Sequence, residues 1–400
     1  MGIVAQPFPL PALPTTPRGP RLPEPSADAR RHSDRLSEAI RRQIEVAGGW
    51  IDFARFMELA LYAPGLGYYV AGAVKLGSEG DFVTAPEVSP LFGRTLARQI
   101  AQVLGDSDGQ VLELGAGSGT MAADVLGELQ SIDRLPRRYL ILETSPQLAE
   151  RQRHTLHQRH PALKDRIEWI STLPENFDGA VIANEVLDAL PVHLVAWRLD
   201  GLHERGVSWN GGLVWSERPL PPGTLRSAAE AIGAEADYVS EISLVAPALV
   251  RSLSAMLRKG ALLLIDYGFG RREYYHPQRA HGTLMCHYRH HAHDDPFFLP
   301  GLQDLTAHVD FTAVAQAGID AGLKLLGYTT QAQFLVNSGI TDLLEQPSAN
   351  ATTSHFALTA GVQKLLSPAE MGELFKVIAL GRGIDGPLLG FTSGDKSRLL

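Results

Sequence analysis

The chain has 400 residues, 44% of them hydrophobic and 20% charged, a composition and length that suit a globular enzyme with one or two large cores. Thirty-six basic against 44 acidic side chains leave a net charge of −8, which excludes the basic footprint that nucleic-acid phosphates require. Cys286 is the sole cysteine, so neither an internal disulfide framework nor a cysteine zinc site exists, as expected for a reducing compartment.

Residues 1–25 contain eight prolines, which remove backbone donors and oppose both helix and sheet. Residues 1–32 therefore read as a disordered tail with neither a secretory signal nor an amphipathic presequence. That reading points to a bacterial cytoplasm, or to the mitochondrial matrix if the source is eukaryotic. No apolar run reaches membrane-spanning length, the longest being strand-sized stretches such as 261–265.

Order is expected from Ser33, with Leu36, Ile40 and Ile44 on one helical face until Gly48-Gly49. Asp52 caps a second helix whose Phe53, Phe56, Met57, Ala60 and Leu61 follow helical spacing. A glycine-broken stretch through Gly80-Asp81-Phe82-Val83-Thr84 then leads to a helix over 89–103. It lacks a GK[ST] element and is not a phosphate-binding loop. Residues 33–104 form the N-terminal helical or lid segment in this scheme.

The remainder, 105–400, alternates strand and helix. Apolar strands are predicted at 110–114, 139–142, 167–170, 179–183 and 261–265. Helices are predicted at 121–130 and from the Ser145-Pro146 cap to about 160. Such alternation builds a parallel sheet covered on both faces, with ligands at the carboxyl ends of its strands. Two insertions interrupt it. One, at about 194–255, is a β-meander with turns at Asp200-Gly201 and Asn210-Gly211, followed by a helix. The other, at about 269–309, is rich in His, Pro and Asp. A helix follows at 311–318, and segments 323–333 and 375–392 pair antiparallel at the sheet edge.

The run Val111-Leu112-Glu113-Leu114-Gly115-Ala116-Gly117-Ser118-Gly119-Thr120 is strand, glycine turn, helix. Glycine lets the backbone turn sharply and approach a ligand closely. The third dinucleotide glycine is replaced by Thr120, which disfavours NAD and suits S-adenosylmethionine (SAM), a ligand without phosphate. Glu143, ending the next strand, is placed to accept from both ribose hydroxyls, and Thr172 and Leu173 would line the adenine. After the fourth strand come Asn184, Glu185 and Asp188. If a helical turn follows, both carboxylates share one face and could hold a guanidinium by paired hydrogen bonds. The alternative is a capped turn with solvated acids.

The segments GDFVTAPEVSPLFG (80–93), VLELGAGSGT (111–120), LETSPQL (142–148), ANEVLDALPV (183–192), IDYG (265–268) and PGLQDLTAHVDFT (300–312) occur together and in order. This combination resembles the MidA family of SAM-dependent methyltransferases, which includes the mitochondrial complex I assembly arginine methyltransferase. The resemblance implies a class I methyltransferase fold, α/β and Rossmann-like, with a mostly parallel seven-stranded sheet and SAM as cofactor. It implies an acceptor protein, such as a respiratory complex I subunit, methylated on arginine; a homodimer is left open. Carried over by position, Glu113, Gly115, Gly117, Gly119 and Glu143 would bind SAM, and Gly80, Asp81, Phe82 and Thr84 would fold over it. Asn184, Glu185 and Asp188 would face the acceptor. Asp304, Thr306, His308 and Asp310 would close its channel, with Asp188 or His308 relaying a proton; each of the four channel residues could equally be a capping or loop-bonding residue.

Three functions remain in view: a protein arginine methyltransferase, a SAM-binding assembly chaperone with little catalysis, and a small-molecule methyltransferase or NAD enzyme. The cluster His287, His290, His291, His293, Asp294 and Asp295 is read as a polar loop, and no metal is expected.

Overall fold

A computed structural model describes residues 22–71, 84–105, 108–345 and 352–400. The proline-rich stretch lies outside the described residues as far as residue 21. Beyond it the expected tail already holds structure, because α1 (Ala27–Val46) starts at a Ser26 cap, before the expected onset at Ser33. Leu36, Ile40 and Ile44 are buried on its inner face, and each fully buried aliphatic side chain contributes roughly 1.5–3 kcal/mol. Asp52 caps α2 (Phe53–Tyr62), its side chain accepting from Arg55 N–H at 2.8 Å.

The central sheet runs through β1 (Gln110–Leu114), β2 (Tyr139–Leu142), β3 (Ile167–Ile170), β4 (Phe177–Asn184), β5 (Leu257–Phe269), β6 (Lys324–Thr330) and β7 (Phe375–Arg382). Its spatial order is β6-β7-β5-β4-β1-β2-β3. Only β7 runs against its neighbours, pairing antiparallel with both β5 and β6. A short strand, Val309–Asp310, also pairs parallel with the end of β5, so the sheet is mostly parallel as expected from the sequence but has eight strands rather than seven. The order reverses between β1 and β4, which are direct neighbours in parallel register, so a crevice opens at their carboxyl ends.

Helices cover both faces. α3 (Pro90–Leu104), α4 (Thr120–Ser131) and α5 (Pro146–Arg159) contribute Leu96, Ile100, Leu126 and Leu156 to one buried layer. On the other face, α6 (Val245–Met256) and α7 (Phe311–Asp320) supply Val250, Leu253, Phe311 and Val314.

Two expected boundaries move. α3 belongs to the central core rather than to an N-terminal segment ending at 104. α6 likewise packs on the central sheet, so the first insertion ends before it. That insertion is a separate antiparallel sheet of strands 193–198, 201–209, 213–219 and 238–242. Its strand 201–209 also pairs with Ile51–Asp52. Phe53, Phe56 and Leu61 of α2 pack on it through Leu194 and Val207, which carries the N-terminal helices over the carboxyl ends of the central strands. The second insertion folds as a small sheet of strands 285–288, 291–293 and 304–306.

Candidate active site

The loop after β1 is shaped by three glycines with positive φ: Gly115 at 62°, Gly117 at 54° and Gly119 at 82°. L side chains rarely adopt this region. A Cβ on Gly115 would lie 3.1 Å from Val186 Cγ2, and one on Gly119 would lie 3.2 Å from Gln152 Cα. Gly119 thus lets α5 approach α4 rather than facing ligand space. Gly115, Ala116, Gly117 and Ser118 form one wall of a cavity of about 370 Å³.

Glu143, past the end of β2, is on the same cavity. Its Oε1 accepts from Ser145 N–H at 2.8 Å and its Oε2 from Gln152 Nε2 at 2.9 Å. The Gln152 amide also donates to the Gly117 carbonyl at 3.1 Å, while Trp169 Nε1 donates to Gln152 Oε1 at 3.0 Å. Gln152 therefore ties the acid after β2 to the loop after β1, a role without any local sequence signal. Glu113, on β1, reaches the cavity from below. It is fully buried, takes the Tyr139 hydroxyl at 2.5 Å, and leaves Oε1 without a partner. Desolvation pushes its pKa up to about 7.

At the end of β4, Glu185 adopts φ 53°, a conformation that costs a non-glycine residue free energy. Its Oε1 accepts from Asn184 Nδ2 at 2.9 Å and from Ala85 N–H at 3.4 Å. Asp188 is buried, bonded to the Tyr267 hydroxyl, with Oδ1 unpartnered. Burial raises the Glu185 pKa to about 8, helped by the charge of Asp188, and burial raises that of Asp188 to about 6. The two acids do meet on one cavity wall, but through a turn rather than the helical turn expected. Asp266 of β5 holds that turn: its Oδ2 accepts from Val186, Leu187 and Asp188 N–H at 3.2, 2.8 and 3.2 Å.

The wall facing these acids comes from α2 and the residues after it. Tyr62 and Tyr69 stack with centroids 5.6 Å apart at 21°, and both line the cavity. Tyr62 donates to the Ala189 carbonyl at 3.0 Å, and the Tyr69 hydroxyl lies 3.0 Å from each oxygen of buried Asp304. Among the described lining residues there are five carboxylates (Glu87, Glu113, Glu143, Glu185 and Asp188) and no Lys, Arg or His.

Several expected site residues lie elsewhere. Thr172 and Leu173 border a separate cavity beyond β3 with Trp169 and Pro174, because the chain turns away from β2 there. His308 and Asp310 border a third cavity with Arg271, Tyr274 and Tyr275. Leu187, on that cavity's wall, belongs to the turn that separates it from the first. The His308 ring stacks on Phe269 at 5.3 Å and 7°. Burial, with the nearby Arg279 charge, lowers its pKa to about 4. Asp310 is a helix cap, accepting from Thr312 and Ala313 N–H at 3.0 and 3.2 Å. Neither residue lines the cavity that holds the acids after β4. Thr306 is buried in its strand. Thr84 lines the cavity, whereas Gly80, Asp81 and Phe82 lie outside the described residues. His291 and His293 make local bonds within their hairpin, to the Arg289 carbonyl and from Asp295 N–H.

A family model of S-adenosyl-L-methionine-dependent methyltransferases matches residues 93–329. The chain belongs to the MidA family of SAM-dependent methyltransferases. This methyltransferase is 51% identical to a Burkholderia thailandensis protein whose crystal structure holds S-adenosyl-homocysteine. That similarity has a TM-score of 0.92 and covers 95% of this chain and 100% of the other. It is also similar to the protein arginine methyltransferases NDUFAF7, mitochondrial, of Danio rerio and Rattus norvegicus. The identities are 30% and 31%, covering 84% and 83% of this chain and 84% and 81% of those proteins. Its cofactor is SAM. The cavity suits such a ligand: its volume falls in the range of small-molecule sites, it carries the orphaned Glu113 Oε1, and its wholly anionic charge matches a cationic molecule. Among the described residues no helix is long and apolar enough to cross a membrane.

Proposed function

We propose that this methyltransferase transfers the SAM methyl group to an arginine nitrogen of a partner protein. The observation that carries this reading is the pairing of Glu185 and Asp188 opposite the stacked rings of Tyr62 and Tyr69. Half-buried Glu185 and buried Asp188, whose pKa values are pushed up by desolvation and, for Glu185, by the charge of its neighbour, await a cation. A planar guanidinium satisfies both by hydrogen bonds while its face lies on an aromatic ring. The relatives named protein arginine methyltransferases support the same acceptor, and the family resemblance suggests a respiratory complex I subunit.

In this reading Gly115 and Gly117 let the backbone approach the methionine part of SAM, and Glu143 accepts from its ribose. Bound SAM supplies an electrophilic methyl group on sulfur. Glu185 and Asp188 hold the guanidinium so that one nitrogen lies in line with that carbon. Concentrating positive charge on the held nitrogens leaves the reacting one more nucleophilic. The N–C bond forms as the S–C bond breaks, and the proton lost by the alkylated nitrogen passes to Asp188, whose Oδ1 is free to receive it. Proximity and alignment supply most of the acceleration, with effective molarities that can reach ~10⁵ M.

The test is methyl transfer from labelled SAM to peptides containing the arginines of complex I subunits, beside the same peptides with lysine. Arginine-only labelling, lost in Glu185→Gln and Asp188→Asn while S-adenosylhomocysteine still binds, is the expected result. Near-normal turnover in both variants overturns the assignment.

A further inference from the structure

Glu87 lies in the short helix Ala85–Val88 and meets the cavity half-buried. Its Oε1 accepts from the Ser118 hydroxyl at 2.5 Å and from the Thr120 hydroxyl at 3.4 Å, and those hydroxyls are 2.8 Å apart. Two residues earlier, Ala85 N–H donates to Glu185. The segment therefore bridges the crevice from the turn after β4 to the glycine loop after β1. Glu87 Oε2 has no protein partner among the described residues, and no basic side chain among them lines the cavity.

A carboxylate withdrawn from bulk water beside ligand space calls for a positive partner. Among the other acids of the cavity, Glu113 keeps Oε1 unpartnered, but burial pushes its pKa up to about 7 and so favours its neutral form. Glu143 takes Ser145 and Gln152, Glu113 takes Tyr139, and Glu185 and Asp188 stand at the acceptor end. Besides its permanent sulfonium, SAM carries one titratable cation, the α-ammonium of its methionine part. In the placement proposed above, that part lies next to the glycine loop. We infer that Glu87 binds the α-ammonium of SAM through Oε2, while Ser118 and Thr120 fix its carboxylate through Oε1. The inference rests on the placement of SAM proposed above and adds the contact that distinguishes its amino-acid end.

Two ligands separate the assignment from a structural role. S-adenosylhomocysteine carries the ammonium, whereas 5′-methylthioadenosine keeps the thioether and adenosine but lacks the amino-acid end. Both are titrated calorimetrically into the wild type, Glu87→Gln and Glu143→Ala. Glutamine retains an oxygen for Ser118 and Thr120, so the loop keeps its anchor. Glu87→Gln is expected to weaken S-adenosylhomocysteine about tenfold, the scale of one charge-assisted hydrogen bond, and to leave methylthioadenosine unchanged. Glu143→Ala is expected to weaken both. If Glu87→Gln weakens both ligands equally, Glu87 only shapes the loop and the inference fails. It fails too if Glu143→Ala weakens both while Glu87→Gln weakens neither; the placement of SAM then stands. If Glu143→Ala weakens neither ligand, the placement falls and the Glu87 contact with it.

Discussion

The carboxylate of Asp266, on β5, accepts the backbone N–H of Asp188 at 3.2 Å together with those of Val186 and Leu187. One buried side chain from a neighbouring strand thereby fixes the turn that presents both acceptor-facing acids. Its second oxygen takes the Tyr267 N–H at 2.9 Å. An amide keeps one acceptor oxygen but turns donor hydrogens toward N–H groups, so part of this buried cluster loses its acceptor. Asp266→Asn should cost about 2–4 kcal/mol of stability and most of the turnover. Urea unfolding gives the first and single-turnover kinetics the second; a fully active, equally stable variant would show that the turn holds its own shape.

The raised acids give a pH signature with a defined sign. A carboxyl whose folded pKa exceeds its unfolded value stabilises the fold at low pH, and this stabilisation is lost as pH rises through the folded pKa. With Glu185 pushed to about 8 and Glu113 to about 7, the ligand-free protein should lose stability between about pH 4.5 and pH 8. Glu185→Gln should flatten part of that slope in thermal melts. A cationic acceptor selects the ionised acids, so its KM should fall as pH rises over the same range in the wild type and much less in Glu185→Gln.

Gln152 joins Glu143 to the Gly117 carbonyl across 2.9 and 3.1 Å. Gln152→Ala leaves Glu143 with fewer constraints and removes its tie to the Gly117 carbonyl. We expect S-adenosylhomocysteine affinity to fall about tenfold, the effect of losing one or two hydrogen bonds that orient a binding group. Titration calorimetry measures it, and an unchanged Kd would remove Gln152 from the site.

Tyr69 is held against the cavity by Asp304 at 3.0 Å. Tyr69→Phe keeps the ring and loses that anchor, so it should raise acceptor KM several-fold, on the order of 1 kcal/mol, without altering S-adenosylhomocysteine binding. Tyr69→Ala should do more, because the aromatic face goes too. Equal effects on cofactor and acceptor would assign Tyr69 to the fold rather than to recognition.

Much of the sheet is written locally. The runs 110–114, 139–142 and 167–170 are strands at the limits their apolar patterns suggest, since parallel strands buried on both faces need continuous apolar sequence. Ser89, Ser145 and Asp52 announce their helices because a cap acts within three residues. The glycine loop, Glu143 and the pair Glu185 and Asp188 were legible for the same reason: each follows directly from a strand end. Tyr62, Tyr69, Gln152 and Asp266 were not, although Asp266 stands in the IDYG segment. Each acts on a residue between 35 and 235 positions away. His308 and Asp310 misled for the complementary reason. Titratable residue types within a family segment suggest chemistry, but Leu187 and the turn it belongs to place them in another cavity. Sequence alone determined the strands of the central sheet and the loops that follow them, because hydrogen bonding and burial periodicity are local. Only the tertiary structure decided which side chains face one another across the β1–β4 crevice, because that depends on strand order and on how the N-terminal helices pack over it.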